Sequence, residues 1–413
     1  MWRLDMTDLK TDAGTNDHTE NMGSTTGCSG NSTAANSSCA RRELVLTAGD
    51  YAARINHVGA SLRSLTYKGH PLTDTYPLAD TTTVGDGGEA TGDESGNIPF
   101  CAGIVLAPWP NRVRDGRFDF RGETHQLDLT EPERSNAIHG LVGFCPWEEA
   151  VSAAELETEA SGIADDNADT GDVSRCAAAA GELCRHIAPT KGWPWAMTVT
   201  ASFKLRKDSG LAATYRLVND SEETIPVAFG VHTYLNAWGT PIDECTAFVP
   251  VTDCLPLDSE RNLPLEPLRL VPLAECTDTS NGTQDLPREE TDWPSATARL
   301  PESLSFDSGQ QMQGVWLDHA FVDARKATAD RTIRLVHSSG KGVEMTASPT
   351  LPWFQIFTAD PDHGQGFPGR GRALAVEPMS APPDALRSGI GLVELPPGRS
   401  VAYTITFRAL TGD

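Results

Sequence analysis

No stretch of this chain holds eighteen consecutive apolar residues, so no membrane-spanning helix is expected. Basic residues are scarce: 33 Lys and Arg stand against 57 Asp and Glu, a formal net charge of −24. A field of that sign repels nucleic acid and anionic lipid surfaces, so neither is expected as a partner. The opening residues, MWRLDMTDLKTDAGTND, lack the apolar core of a secretory signal. Paired cysteine motifs are missing too. The nine cysteines are odd in number and contain no C-x-x-C, which points to thiols in a reducing cytosol. Cys176 and Cys184 are close in sequence, and proximity in a loop is poor grounds for a bridge. There is no H-E-x-x-H, no phosphate-binding G-x-x-x-x-G-K-[ST] and no G-x-S-x-G, and the Gly85–Gly87 region lacks a strand–helix context for a dinucleotide.

What the chain does have is period-2 alternation. Met197, Val199, Ala201, Phe203 and Leu205 alternate with polar partners; Lys207–Gly210 turns, and Leu211, Ala213, Tyr215 and Leu217 run back. Ile333, Leu335 and His337, then Val343, Met345 and Ala347, make a second hairpin, and Val401, Tyr403, Ile405 and Phe407 a last strand. Leu44–Leu46, Ala52–Ile55 and Leu62–Tyr67 read as short consecutive strands. The best helical stretch is only Ala153–Ala160, and no βαβ spacing occurs. The fold is therefore expected to be all-β and antiparallel, one domain over residues 41–412. Residues 1–40 are polar and Gly/Ser/Thr-rich, the composition of a disordered tail. Segments 78–97, 153–190 and 277–297 lack periodicity and read as loop insertions.

Three stretches carry candidate chemistry. Ala373–Val376 reads as a buried strand ending in the carboxylate Glu377, ahead of a proline-rich turn from Pro378 to Pro383. A strand that hands a carboxylate to rigid irregular backbone can hold an acid/base group, and a lone glutamate is equally a polar strand terminus. Ala228–Asn236, AFGVHTYLN, presents His232, a proton donor near neutrality or a satisfied core histidine. Leu106–Phe120, LAPWPNRVRDGRFDF, offers an aromatic face with Asn111 and Arg112, and Asn136–Gly140 adds His139. Such planar donors suit a ligand with many hydroxyls; Arg112, Arg114 and Arg117 also fit a solvated basic turn, and His139 a core position. Asp318 and Gln355 are polar groups set in aromatic strands and need partners.

Taken in order, Pro108-Trp109-Pro110-Asn111-Arg112, Asn136-Ala137-Ile138-His139-Gly140, Gly230-Val231-His232-Thr233-Tyr234, Leu317-Asp318-His319-Ala320-Phe321, Glu377-Pro378 and Leu395-Pro396-Pro397-Gly398 resemble the aldose 1-epimerase (mutarotase) family. The likeness is strongest to the bacterial branch with Glu-Pro-Met, and covers roughly residues 41–411. It implies a large antiparallel β-sandwich with an open sugar cleft, acting on a free monosaccharide as a monomer or weak dimer, without a cofactor or metal. It implies Glu377 as general base, His232 as general acid, and Asn111, Arg112, His139, Asp318 and Gln355 as sugar-holding residues. A sugar-binding sandwich without catalysis, or an epimerase of hexose 6-phosphates, are the alternatives. One departure stands out: Thr233 follows His232 where the family usually has proline.

Overall fold

The computed structural model describes residues 42–77, 98–151, 177–273, 304–325 and 329–412. The tail 1–40, the segments 78–97 and 277–297, the stretch Ala153–Ala160 and Cys176 lie outside them.

The alternating stretches become one face of a sandwich. Met197–Arg206 and Gly210–Asn219 pair antiparallel, as do Arg331–His337 and Lys341–Ala347. Ser400–Thr411 lies between the two hairpins, hydrogen-bonded to Gly210–Asn219 on one side and Lys341–Ala347 on the other. These strands belong to a nine-stranded sheet running from Glu148–Val151 to Gln310–Gln311. Its inward residues, such as Val199, Leu217, Ile333 and Ile405, share a core with Phe354, Ile356, Leu374 and Val376 of a second, eight-stranded sheet. Alternate burial on Met197–Arg206 shows the first sheet half-covered.

The second sheet is covered on both faces. Every residue of Trp353–Ala359 and Ala373–Met379 is buried, which is why these strands read as continuous apolar runs. Even-numbered Leu374 and Val376 face the shared core, while Ala373 and Ala375 join Tyr234, Phe357 and Phe367 in a cluster on the opposite side. A four-stranded sheet of Glu43–Ala48, Tyr51–Asn56, Ser61–Tyr67 and His70–Pro71 matches the three expected strands and adds a short fourth.

Two expectations need correction. Residues 178–187, assigned to an insertion, form the ten-residue strand Ala178–Ile187, paired along its length with Met197–Arg206. Its small residues hid it: a Cβ on Gly181 would come 2.6 Å from Leu44 Cδ1, so close packing of a second layer replaces large alternating side chains. Glu377, expected at a strand end, instead lies within Ala373–Met379, and the strand continues through Pro378. Proline is tolerated there because the neighbouring strand is interrupted at His232, where a missing N–H breaks no ladder.

Candidate active site

The interruption at His232 builds the site. Gly230 pairs with Met379 and Thr233 with Val376 in one register, so His232 falls opposite Glu377. His232 uses its own N–H on Ile104 O at 3.1 Å, and its C=O accepts from Gly103 N–H at 2.7 Å. Its backbone thus turns away from Glu377, while residues opposite each other on antiparallel strands project side chains to the same face. The result is His232 Nε2 at 3.2 Å from Glu377 Oε1, both side chains buried. Gln355 is the register partner of Glu377 on the other side, so the three polar residues form a row across the sheet.

Hydrogen bonds extend that row. Gln355 Nε2 donates to Asp318 Oδ1 at 2.7 Å, and Gln355 Oε1 accepts from Asn111 Nδ2 at 3.3 Å. Asn262 Nδ2 donates to the other carboxylate oxygen of Asp318. Asn111 and His139 both hold left-handed backbone, φ 57° and 63°, a region Asn and His enter more readily than most residues. That conformation makes a reciprocal clasp: His139 N–H donates to Asn111 O at 3.0 Å, and Asn111 N–H donates to His139 Nδ1 at 3.2 Å. The His139 ring stands edge-on to His232, with centroids 5.6 Å apart. The Tyr234 ring stacks with that of His232, centroids 5.4 Å apart, and its hydroxyl donates to Phe100 O.

Arg112 is held by Glu131. Its Nε and Nη2 donate to the two carboxylate oxygens at 2.8 and 2.9 Å, and Asn136 Nδ2 donates to the same carboxylate at 2.9 Å. Arg114 and Arg117 are not part of the constellation: Arg114 reaches Asp384 and Pro264 O, and Arg117 is exposed. All seven residues expected from sequence therefore meet in one place. Sequence reasoning missed Glu131 and Asn262. The acid of Glu131-Pro132 lies five residues before Asn136, a faint signal; Asn262 is brought in only by folding.

Burial sets the protonation. Desolvation raises Glu377 well above the ordinary carboxylate range, helped by the negative charge of Asp318 and opposed by Arg112. Desolvation lowers His232 to about 4 and holds His139 well below the usual histidine value. Neither member of the contact pair favours charge alone, so the pair holds one proton between oxygen and nitrogen. Such a pair can give a proton at one atom and take one at a neighbouring atom with no net change.

The profile of the aldose 1-epimerase family matches residues 42–408, and the chain belongs to that family. A curated relative, the uncharacterised protein YihR of Escherichia coli K12, is 24% identical over 370 residues, covering 88% of this chain and 92% of its own. Solved structures share the fold. A putative aldose 1-epimerase of Escherichia coli K12 superposes with TM-score 0.60 at 19% identity, covering 89% of this chain and 98% of its own. A GalM/aldose epimerase homologue from C. elegans gives TM-score 0.62 at 17% identity, covering 90% and 99%. Galactose 1-epimerase from Lactobacillus acidophilus NCFM gives 0.59 at 18%, covering 89% and 95%. Among the described residues no helix is long and apolar enough to cross a membrane.

Proposed function

We propose that the protein interconverts the α and β anomers of a free aldohexose. The observation that carries this reading is the 3.2 Å contact between His232 Nε2 and Glu377 Oε1, buried beside a row of hydroxyl-matching amide and guanidinium groups. A module that only bound sugar would have no use for such a pair.

The sugar enters with its C1 hydroxyl at Glu377 and its ring oxygen at His232. The shared proton moves to His232, leaving a carboxylate that Arg112 stabilises. Glu377 then takes the C1 hydroxyl proton as His232 protonates the ring oxygen; the C1–O5 bond breaks and C1=O forms. Rotation about C1–C2 presents the other face of the aldehyde. Reclosure returns the proton from Glu377 and restores His232, so the proton inventory balances without a cofactor. Asn111, Arg112, His139, Asp318 and Gln355 hold the hydroxyls. A positioned acid and base each contribute about 10²–10⁴-fold, enough for a reaction that water performs slowly.

Against a 6-phosphate substrate stands the engagement of Arg112 by Glu131 in a paired salt bridge, with Arg117 at the surface. The acidic balance and unpaired cysteine spacing fit a cytosolic enzyme that acts alone or as a weak dimer. The test is Glu377→Gln, followed by anomer exchange in NMR and sugar binding in calorimetry. Turnover falls by at least about 10²-fold while affinity changes little. Near wild-type exchange in that variant would overturn the reading.

A further inference from the structure

We infer that Cys101, His139 and His232 form a site for a thiophilic divalent cation of the zinc class, and that its occupancy blocks the acid/base pair. The blocking rests on the proposed function; the binding does not. Cys101 Sγ and one ring nitrogen of each histidine all lie within 4.8 Å of one another. A tetrahedral zinc ion, with bonds of about 2.3 Å to sulfur and about 2.0–2.1 Å to nitrogen, sets its ligand atoms roughly 3.5 Å apart. The group therefore closes on the ion by about 1 Å, a movement within reach of side-chain rotation.

The donor chemistry fits. One thiol and two imidazoles match the borderline-soft preference of zinc and its neighbours over calcium or magnesium, which take oxygen. Burial keeps both histidines neutral, the form that ligates. The Cys101 thiol is pushed up to about 12 by the same burial, so the ion must displace its proton. The step is M²⁺ plus Cys–SH giving M–S⁻ plus H⁺ released to solvent, with no change of oxidation state. His232 Nδ1 is buried without a hydrogen-bond partner, while Nε2 faces Glu377. A cation on Nδ1 would leave Nε2–H pointing at the carboxylate, the arrangement that commonly backs a metal-bound imidazole. His139 offers the second imidazole nitrogen within the same 4.8 Å. With Nδ1 on the ion, Nε2 already carries the ring's one proton, so His232 cannot take up the Glu377 proton that the ring oxygen would receive. The three residues are far apart in sequence and form no spaced motif, so only folding discloses the site.

The experiment uses Co²⁺ alone as a spectroscopic probe and Zn²⁺ as its competitor and as inhibitor. Wild type should bind Co²⁺ with a thiolate-to-cobalt charge-transfer band that Zn²⁺ abolishes, and Cys101→Ser should lack the band. Zn²⁺ should slow anomer exchange, a chelator should restore it, and Cys101→Ser should keep its basal rate while needing at least about 10-fold more Zn²⁺ for equal slowing. No thiolate band in wild type, a band that survives Cys101→Ser, or equal Zn²⁺ sensitivity of the two proteins would each overturn the inference. Absence of exchange in metal-free wild type would instead refute the proposed function and leave the cobalt result standing.

Discussion

Replacing Glu377 with glutamine should change how stability depends on pH, separately from any effect on catalysis. The folded carboxyl is held protonated above its ordinary value of 4.5 by burial and the neighbouring Asp318 charge. Between 4.5 and its folded value, the native chain keeps a proton that the unfolded chain has lost. The contribution is therefore fully present below 4.5 and falls as pH rises, by about 1.4 kcal/mol per pH unit, until the folded value is passed. His232 has the opposite sign. Its folded value is lowered from 6.5 to about 4, so its contribution is present above 6.5 and is lost as pH falls through 4. In wild type the two offset above pH 4.5 while the folded carboxyl and the unfolded imidazole each keep their proton, because folded and unfolded chains then hold one proton apiece on the pair. Glu377→Gln leaves only the histidine, so the variant should gain stability from pH 4 to 6.5 and then level off. Denaturant melts of both proteins from pH 4.5 upward, plotted as wild type minus variant, should give a line falling with the one-proton slope until the folded value of Glu377 is passed. A pH-independent difference would mean that Glu377 ionises as an ordinary surface carboxylate, and the shared-proton description of the pair would be wrong.

Glu131→Ala strands the Arg112 guanidinium in a buried position and should cost about 3–5 kcal/mol in unfolding free energy. The double variant with Arg112→Ala should recover part of that loss, and strict additivity in the melts would show the pair uncoupled. Gly140→Ala places a Cβ 2.1 Å from Ala107 O at φ 77°, whereas Gly69→Ala meets nothing within 4 Å at φ 76°. Gly69→Ala should cost about 1 kcal/mol of backbone strain and Gly140→Ala at least about 3, with looser sugar binding; equal melting points would refute the packing argument.

The sheets were legible where one face meets water. Met197–Leu205 and Ile333–Ala347 alternate because polar side chains fill the outer face, and the hairpins follow directly. Ala178–Ile187 was illegible because another layer presses on it and small residues erase the alternation. In the site, Glu377 and His232 could be singled out as a strand carboxylate and a strand histidine. Their meeting was not readable from residues alone, because it depends on a register shared by two strand segments on either side of a break. Glu131 and Asn262 act by neutralising and orienting other polar groups, a role that leaves no periodic or spacing signal.

The position of Ser400–Thr411 bears on how the molecule is made. This strand is the seam of the large sheet: the hairpin of Met197–Asn219 and that of Arg331–Ala347 touch it and are joined through it. During synthesis the two hairpins can each form from local contacts, and they then wait with facing edges unpaired until residues 400–411 leave the ribosome. Closing the sheet ties partners nearly two hundred residues apart, such as Thr214 and Thr404, which makes it a late and entropically costly event. The nascent chain is thus most exposed to edge-to-edge association in the interval just before its last long strand emerges.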